Sequence, residues 1–352
     1  MKIYKRWTIK VLLTTLLTIK VLILINFIID PLQFYHSAFY KPVFSKQQRY
    51  QNPGLVKNYK YDTIIIGSSM SENNVPSYLN AKMEVNALKL SIMGSSAKEQ
   101  YLIAKLALDT GKAKNVIWVV DYFSMRGDPT RVRDEYGAFP FYMYDNNPIN
   151  DIKYLLNLDT SKQAFNILAV MSGLKPNENP DLDTLNTWGN KENFSRQSVL
   201  KEWAKYKQTG PIAADEYEIT NIKRNLDENL FSLIKNYPQT TFYLYYPPYS
   251  ILQHRYYFDK NPVLFENELT MNKYIFGQVG KLPNVKIYNF QQENRITFNL
   301  DNYKDLAHHT PKINEWIIDQ ISKNSYRVTE NNLEHTLEML RNQVETLDEN
   351  KL

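Results

Sequence analysis

The stretch Asp62-Thr-Ile-Ile-Ile-Gly67-Ser68-Ser69 decides the fold of this chain. Its threonine and three isoleucines form a continuous β-branched run, and a run without polar alternation is typical of a parallel strand that is buried on both faces. A glycine and two serines end the run, as turn residues do. The stretch therefore predicts a buried strand that leads into a tight turn carrying two hydroxyl groups.

Further runs of this kind follow along the chain, with longer segments between them. They cover residues 85–90, 115–121, 241–246 and 285–288. Helical patterns occupy residues 95–111, which end in a glycine, and residues 311–322, which begin with a proline. Strands that alternate with helices are joined by crossovers, so the pattern predicts an α/β fold, a three-layer flavodoxin-like domain whose parallel sheet is covered on both faces.

This domain is predicted to cover residues 61–325, but its alternation fails over part of that range. Between about residues 126 and 225 no strand pattern is found, and a segment of about 100 residues is too long for a plain loop. We therefore expect a helical insertion there. An aromatic cluster at residues 136–148 either lines a substrate groove or packs the insertion onto the domain.

Residues 7–29 predict a transmembrane anchor. They are apolar except for threonines, two lysines and Asn26. A helix of this length, with a rise of about 1.5 Å per residue, would measure roughly 34 Å and cross a hydrocarbon core of about 30 Å. Basic residues on the N-terminal side place the N-terminus in the cytoplasm. We expect a single-pass protein of the cell membrane with its main domain outside; a cleaved signal peptide is the alternative.

Two polar residues inside the anchor need partners. Lys20 lies near mid-span, where a charge costs about 3 kcal/mol. Either this lysine extends along the helix to the membrane surface, or Lys20 and Asn26 contact another membrane protein. The polar and aromatic residues 30–60, with two prolines, predict a connector.

Residues 326–352 predict a C-terminal amphipathic helix. Its apolar residues recur at spacings of four and three, at Leu333, Leu337, Leu340, Val344 and Leu347. Two heptads leave two alternatives open: the helix docks on the rest of the chain, or it pairs with another protein.

Charge and composition exclude several classes of protein. The 352 residues carry a net charge of +5, and the first 30 contain five basic residues against one acidic residue. The remainder is nearly neutral, which argues against nucleic-acid binding. The absence of cysteine excludes a disulfide scaffold, a cysteine nucleophile and a thiolate metal site. A hydrophobic content of 43% excludes wholesale disorder.

Three residues form a candidate proton relay. Ser69 stands at the carboxyl end of the first predicted strand, where reactive groups collect in open α/β sheets. Its hydroxyl is a weak nucleophile unless a base takes the proton. Asp305 precedes His308 by three residues, and on a tight loop this spacing lets the carboxylate fix the imidazole tautomer. A helix after the turn would direct its free N–H groups toward a developing oxyanion.

The same C-terminal residues leave one alternative. Asp305, His308 and His309 could bind a metal ion, but no further carboxylate or histidine has a supporting spacing. We expect neither a metal nor a cofactor.

These residues resemble the SGNH (GDSL-type) hydrolase superfamily over about residues 62–322, without the insertion. The resemblance rests on Gly67-Ser68-Ser69 after a strand, on Gly94 and on Asp305-x-x-His308. It implies that Ser69 is the nucleophile, that Asp305 and His308 complete a catalytic triad, and that the backbone N–H groups of Ser69 and Gly94 form the oxyanion hole.

Two positions depart from the family pattern. Ser68 replaces the usual aspartate, and Val120-Asp121-Tyr122 stands where the family has Gly-x-Asn-Asp. The asparagine that serves as an oxyanion donor is therefore missing or substituted, which bears on free hydrolysis more than on the triad.

Gly-Ser-Ser behind a single anchor is similar to the D-alanyl transfer proteins of teichoic-acid D-alanylation and their relatives. The resemblance implies an extracellular O-acyltransferase that moves an acetyl or D-alanyl type group onto a cell-surface glycopolymer, together with a membrane-bound O-acyltransferase. Two alternatives remain: an esterase that deacetylates a surface polysaccharide, and a non-catalytic module that binds glycan or scaffolds a membrane complex.

Overall fold

The computed structural model describes residues 2–135, 137–179, 181–213, 215–349 and 352. Its sheet has five parallel strands in the spatial order β2-β1-β3-β4-β5. The strands are β1 Thr63–Ile66, β2 Ala87–Lys89, β3 Asn115–Val119, β4 Thr241–Tyr246 and β5 Val285–Asn289. The prediction of an α/β fold with a parallel sheet is confirmed, and each strand lies within or beside its predicted run.

Helices occupy much of the remaining chain. They are α1 Lys2–Ile29, α2 Gln48–Asn58, α3 Pro76–Met83, α4 Ala97–Asp109, α5 Ile152–Leu155, α6 Leu158–Met171, α7 Arg196–Gln208, α8 Ile219–Leu226, α9 Ser232–Asn236, α10 Ile251–Lys260, α11 Pro262–Val279, α12 Asn294–Thr297, α13 Pro311–Ser322 and α14 Leu333–Glu345. A capping box at Ser96 and Glu99 begins α4, and a proline at the first turn begins α13.

The chain divides into two compact units. One contains the chain up to Tyr59 together with Pro140–Leu185, and the other contains Lys60–Phe139 together with Asn186–Leu352. The predicted insertion is therefore shared between the units, although the sequence predicted it as one addition to the sheet domain. The reason is that α6 buries Ala164 and Ile167 against the end of α1.

In the first unit, α1 is long and apolar enough to cross a membrane. An 18-residue window within Tyr4–Ile29 has a mean hydropathy of 2.4, and a signal sequence near an N-terminus would have the same character. Lys20 is exposed. The buried amide of Asn26 donates to Leu155 O and Ser161 Oγ, both at 2.8 Å, so this amide finds acceptors within its own chain.

The predicted connector contains a buried helix, α2. Gln51 on this helix donates to Leu32 O at 3.0 Å. Gly54 approaches the same backbone so closely that a Cβ atom would lie 2.0 Å from Leu32 O. Because polar side chains and a glycine make these contacts, hydrophobic periodicity gave no sign of the helix.

Aromatic residues from the predicted cluster pack inside the first unit. Tyr142 and Tyr144 contact a buried group that includes Leu32, Phe34 and Tyr154. These side chains therefore pack against the predicted connector in the first unit, and not onto the sheet domain as the packing alternative expected. Tyr136, at the start of the cluster, lies outside the described residues.

In the second unit, β1 and β3 form the centre of the core. Ile64, Ile65 and Ile66 are fully buried, and Ile65 pairs with Ile117 in the register of the two strands. The Trp118 indole donates to Gln100 on α4 at 2.8 Å. Burial on both faces explains why these strands are continuous apolar runs.

The C-terminal helix α14 docks on its own chain. Leu337, Leu340 and Val344 are at most 3% exposed. The guanidinium of Arg255 on α10 donates to Val344 O at 3.0 Å, which fixes the last turn. Docking is thus the alternative that the structure shows.

Candidate active site

The turn after β1 carries the candidate nucleophile. Gly67 is required there by close approach, because a Cβ atom would lie 2.9 Å from both Ser71 Oγ and Val119 Cβ. Ser69 then begins a 3-10 helix, Ser69–Ser71, and is partly exposed. Its hydroxyl therefore stands at the carboxyl end of a central strand, where solvent and substrate can reach it.

Hydrogen bonds hold this turn in place. Ser71 N donates to Ser68 O at 3.0 Å, and the hydroxyls of Ser71 and Ser91 lie 2.6 Å apart. Ile92 N donates to Gly67 O at 3.0 Å, which joins the segment after β2 to the turn. Ser69 is thus positioned by two strands rather than by one flexible loop.

The sequence predicts a helix directly after the turn, but the structure differs. A single 3-10 turn begins at Ser69, and the next α-helix, α3, begins only at Pro76. The side chain of Asn74 donates to Ser71 O at 3.0 Å, which satisfies a carbonyl that a continuous helix would have used. The short turn still presents the N–H of Ser69 at its first position.

The structure brings the three predicted relay residues together across 239 positions of sequence. Ser69 Oγ lies 2.9 Å from His308 Nε2, and His308 Nδ1 lies 2.7 Å from Asp305 Oδ2. Nδ1–H donating to the carboxylate leaves the Nε2 lone pair directed at the serine hydroxyl. In this tautomer the imidazole is ready to accept the serine proton.

The loop around Asp305 fixes the carboxylate. Asp305 Oδ1 accepts from the backbone N–H of His308 at 2.7 Å and of Ala307 at 2.9 Å. Burial raises the pKa of Asp305, but the hydrogen bonds from the His308 ring and from the two N–H groups outweigh it, so that the pKa lies below its usual value. Asp305 is therefore ionised at neutral pH, the state in which a carboxylate can stabilise an imidazolium.

Trp188 borders the relay and was not identified in the sequence. Its ring meets the His308 ring edge-to-face at 5.4 Å, and its indole N–H donates to Ser69 O at 3.3 Å. Asn73 Oδ1 accepts from the backbone N–H groups of Trp188 and Gly189. Trp188 lies in a polar segment without hydrophobic periodicity, so the sequence contains no local pattern that identifies it.

Gly189 allows this segment to approach the relay loop. A Cβ atom on Gly189 would lie 2.2 Å from Pro311 Cγ at the start of α13. Lys304 Nζ sits 4.2 Å from the Trp188 ring centroid and 3.3 Å from a Glu192 carboxylate oxygen. These contacts hold the indole beside the imidazole.

Asp121 occupies the end of β3, where the family pattern has asparagine. It is 2% exposed and accepts from Ser68 Oγ at 2.5 Å and from Ser124 N and Oγ, both at 3.0 Å. Burial is the main cause that raises the pKa of Asp121. Its oxygens accept these bonds from both serines, so Asp121 joins β3 to the nucleophile turn and does not supply an amide donor.

The two backbone N–H groups of the predicted oxyanion hole, those of Ser69 and Gly94, have no hydrogen-bond acceptor among the described residues. Gly94 has φ of 59° and follows Ile92, whose N–H binds the nucleophile turn. The positive φ favours glycine and turns the chain at the same sheet edge as Ser69.

The other histidines lie in different surroundings. His36 contacts Phe27 O and Ser37 O, and His335 is exposed on α14. His309 is 2% exposed, and burial lowers its pKa to about 4. His254 is fully buried against Glu268.

Asp305, His308 and His309, the residues of the alternative metal site, are not directed toward a common point. His309 Nδ1 faces Thr310 O at 3.3 Å rather than Asp305. Across the described ranges, no group of three or more histidine, aspartate or glutamate side chains could hold a metal ion.

A comparison with protein families finds no match for this chain, and no curated protein matches it at a significant level. The functional argument therefore starts from the geometry of Ser69, His308 and Asp305.

Proposed function

We propose that this chain is a membrane-anchored, extracytoplasmic acyl-serine O-acyltransferase of the SGNH type. The observation that carries the proposal is the relay of Ser69, His308 and Asp305, with distances of 2.9 and 2.7 Å between successive side chains. Such a relay converts a serine hydroxyl into a nucleophile toward ester carbonyls.

In the first half-reaction Ser69 takes the acyl group. Its Oγ forms a bond to the carbonyl carbon of an activated acyl donor while His308 Nε2 accepts the hydroxyl proton. The N–H groups of Ser69 and Gly94 stabilise the oxyanion, and one such donor contributes about 10²–10³ in rate. The tetrahedral intermediate then breaks its bond to the leaving group, which takes the proton from His308.

In the second half-reaction a hydroxyl of the acceptor attacks the acyl-serine. His308 accepts the acceptor's proton as the new ester bond forms. The intermediate then releases Ser69 Oγ, which recovers the proton from His308. Asp305 stays ionised throughout and holds the ring in position.

The sheet supports a flavodoxin-like assignment. The spatial order of the strands, 2-1-3-4-5 with all strands parallel, is the order of doubly wound flavodoxin-like sheets. In that arrangement ligands bind beyond the carboxyl ends of the strands, and both Ser69 after β1 and Asp121 after β3 lie there.

A sugar or polyol acceptor, rather than water, fits two features. Asp121 takes the place of an amide donor that would favour efficient hydrolysis, and Trp188 places an apolar ring beside His308. An open depression of about 730 Å³ on the same unit is lined in part by Arg196, Lys201 and Asp301. Its two cations outnumber its one carboxylate, which suits an anionic glycopolymer.

The anchor supports the location and the partner. α1 would hold the α/β unit at the outer membrane surface, where an acyl donor delivered by a membrane-bound O-acyltransferase is available. Basic residues at the N-terminal end of the helix favour a cytoplasmic location for that end.

Hydrolysis is the second candidate, and one observation favours it. The side chains of His308 and Asp305 are 26% and 25% exposed, so water can reach the acyl-serine. Deleting the gene separates the two functions: acyl ester on the surface polymer falls if the protein transfers, and rises if it deacetylates.

Ser69→Ala tests the proposal directly. We expect this variant to fold normally and to abolish acylation of the surface polymer, because no other hydroxyl lies within reach of His308 among the described hydrogen bonds. Ser322→Ala, a surface serine that only caps its own helix, is the matched control and should acylate normally. Normal acylation by Ser69→Ala would refute the assignment.

A further inference from the structure

Helix α6 exposes an apolar flank. Leu158 is 72% exposed, Phe165 50% and Leu168 36%. Their spacings of seven and three residues place them on one side of the helix. Lys162, one helical turn from both Leu158 and Phe165, lies at the edge of this flank, and the exposed Asp159 lies on the polar side beyond it, so α6 is amphipathic in addition to the face that it buries.

The buried face of α6 packs on the last turns of α1. Ala164 and Ile167 form a cluster with Ile29, against which Ile25 also packs. Asn26 donates to Ser161 Oγ at 2.8 Å, so a hydrogen bond fixes the register of the two helices. α6 therefore crosses α1 at the level where a membrane span would leave the hydrocarbon.

The end of α1 is also tied to the segment before α6. The buried Asp30 carboxylate accepts from the Tyr154 hydroxyl at 2.8 Å, and the same hydroxyl accepts from Leu32 N at 3.1 Å. Asp30 accepts from Phe34 N at 2.9 Å as well. These bonds hold α5 and α6 rigidly beside the span.

Apolar and aromatic side chains are also exposed around the last turn of α1. Phe27 and Ile28, on the last turn of α1, are 45% and 46% exposed. Phe39 is 65% exposed just beyond the helix, and Tyr40 donates its hydroxyl to Ile29 O at 2.8 Å. Aromatic rings at this level are typical of the boundary between acyl chains and headgroups.

We propose that α6 lies in the membrane surface and inserts Leu158, Phe165 and Leu168 among the lipid acyl chains. The inference rests on the proposed role of α1 as the anchor. An amphipathic helix with a buried apolar flank gives a second attachment, so the first unit is fixed at the bilayer and cannot swing about a single span.

The absence of native cysteine allows a site-by-site test. The full chain, with single cysteines at Phe165→Cys or Leu158→Cys, is labelled with an environment-sensitive fluorophore and reconstituted into phosphatidylcholine–phosphatidylglycerol vesicles that contain doxyl-labelled lipid. Asp159→Cys, an exposed position on the polar side of the same helix, is the matched control. Leu17→Cys in α1 reports the anchor itself.

The expected result is a blue-shifted emission and strong quenching at positions 158 and 165, with several-fold weaker quenching at 159. Quenching at 17 but not at 158 or 165 would overturn the inference and leave the anchor intact. No quenching at 17 would refute the anchor, and the inference with it. A serine-reactive probe that labels Ser69 in each variant keeps the proposed chemistry separate from both outcomes.

Discussion

The protein contains two histidine–carboxylate pairs of similar geometry in very different places. His308 Nδ1 lies 2.7 Å from Asp305, and His254 Nδ1 lies 3.0 Å from Glu268. The first pair is about one-quarter exposed and has Ser69 on the other ring nitrogen. The second is completely buried between α10 and α11, and its Nε2 contacts no partner within the described residues.

The difference shows what makes such a pair a candidate for catalysis. Both carboxylates orient an imidazole, but only the loop before α13 brings the imidazole to the carboxyl end of the sheet, beside a hydroxyl. Glu268 instead accepts from Gln291, and Gln291 accepts from Asn272, in a closed internal network. Buried polar networks of this kind specify packing.

The largest expected effect concerns chemistry at His308. His308→Ala should lower the rate at which a fluorophosphonate modifies Ser69 by about 10⁴-fold, because the hydroxyl loses its base. The thermal midpoint should change little, since the ring is partly exposed. Rates are measured by quenched time courses and intact mass. A loss below tenfold would show that His308 is not the base.

The buried pair should behave in the opposite way. His254→Ala leaves Glu268 without one of its two hydrogen bonds in a fully buried position, and breaking such a pair costs about 3–5 kcal/mol of unfolding free energy. Urea unfolding measures the loss. The folded fraction should still label at the wild-type rate, and a chemical defect with unchanged stability would reverse the comparison.

The next effect is a pH dependence of stability at His309. Its pKa is lowered from 6.5 to about 4 by burial, so the unfolded chain binds a proton that the folded chain excludes. The stabilisation is complete above about pH 6.5 and is lost as the pH falls toward 4, by about 3 kcal/mol in total. Between pH 7 and 4.5 the free energy of unfolding should therefore fall more steeply with decreasing pH for the wild type than for His309→Gln. Equal slopes would contradict the assignment.

The smallest effect tests the indole beside the relay. Gly189→Ala places a methyl group against Pro311 and moves Trp188 away from His308, so the labelling rate of Ser69 should fall by roughly tenfold. Gly210→Ala, where a Cβ atom meets nothing within 4 Å, is the control. An unchanged rate for Gly189→Ala would show that Trp188 does not position the ring.

Much of the sheet and the relay could be predicted from sequence because each has a local signature. Continuous β-branched runs mark strands buried on both faces, and Asp305-x-x-His308 places two partners on one short loop. The distance between Ser69 and His308 could only be inferred from the rule that strand ends collect reactive groups.

The features that were missed depend on contacts between distant segments. Trp188 is positioned by a hydrogen bond to Asn73 and by Gly189, whose missing side chain allows close approach to Pro311. Neither contact produces a periodic pattern in the sequence. Asn26 seemed unpaired in an apolar helix because its partner, Ser161, lies 135 residues away. The division of the insertion follows from the same long-range packing.

Peptide mapping after fluorophosphonate treatment tests the central claim most directly. The wild-type protein should carry a single adduct on the peptide that contains Ser69, and the adduct should disappear in Ser69→Ala and in His308→Ala while His254→Gln retains it. A folded wild-type protein that remains unmodified at Ser69, or a label there that does not depend on His308, would contradict the account.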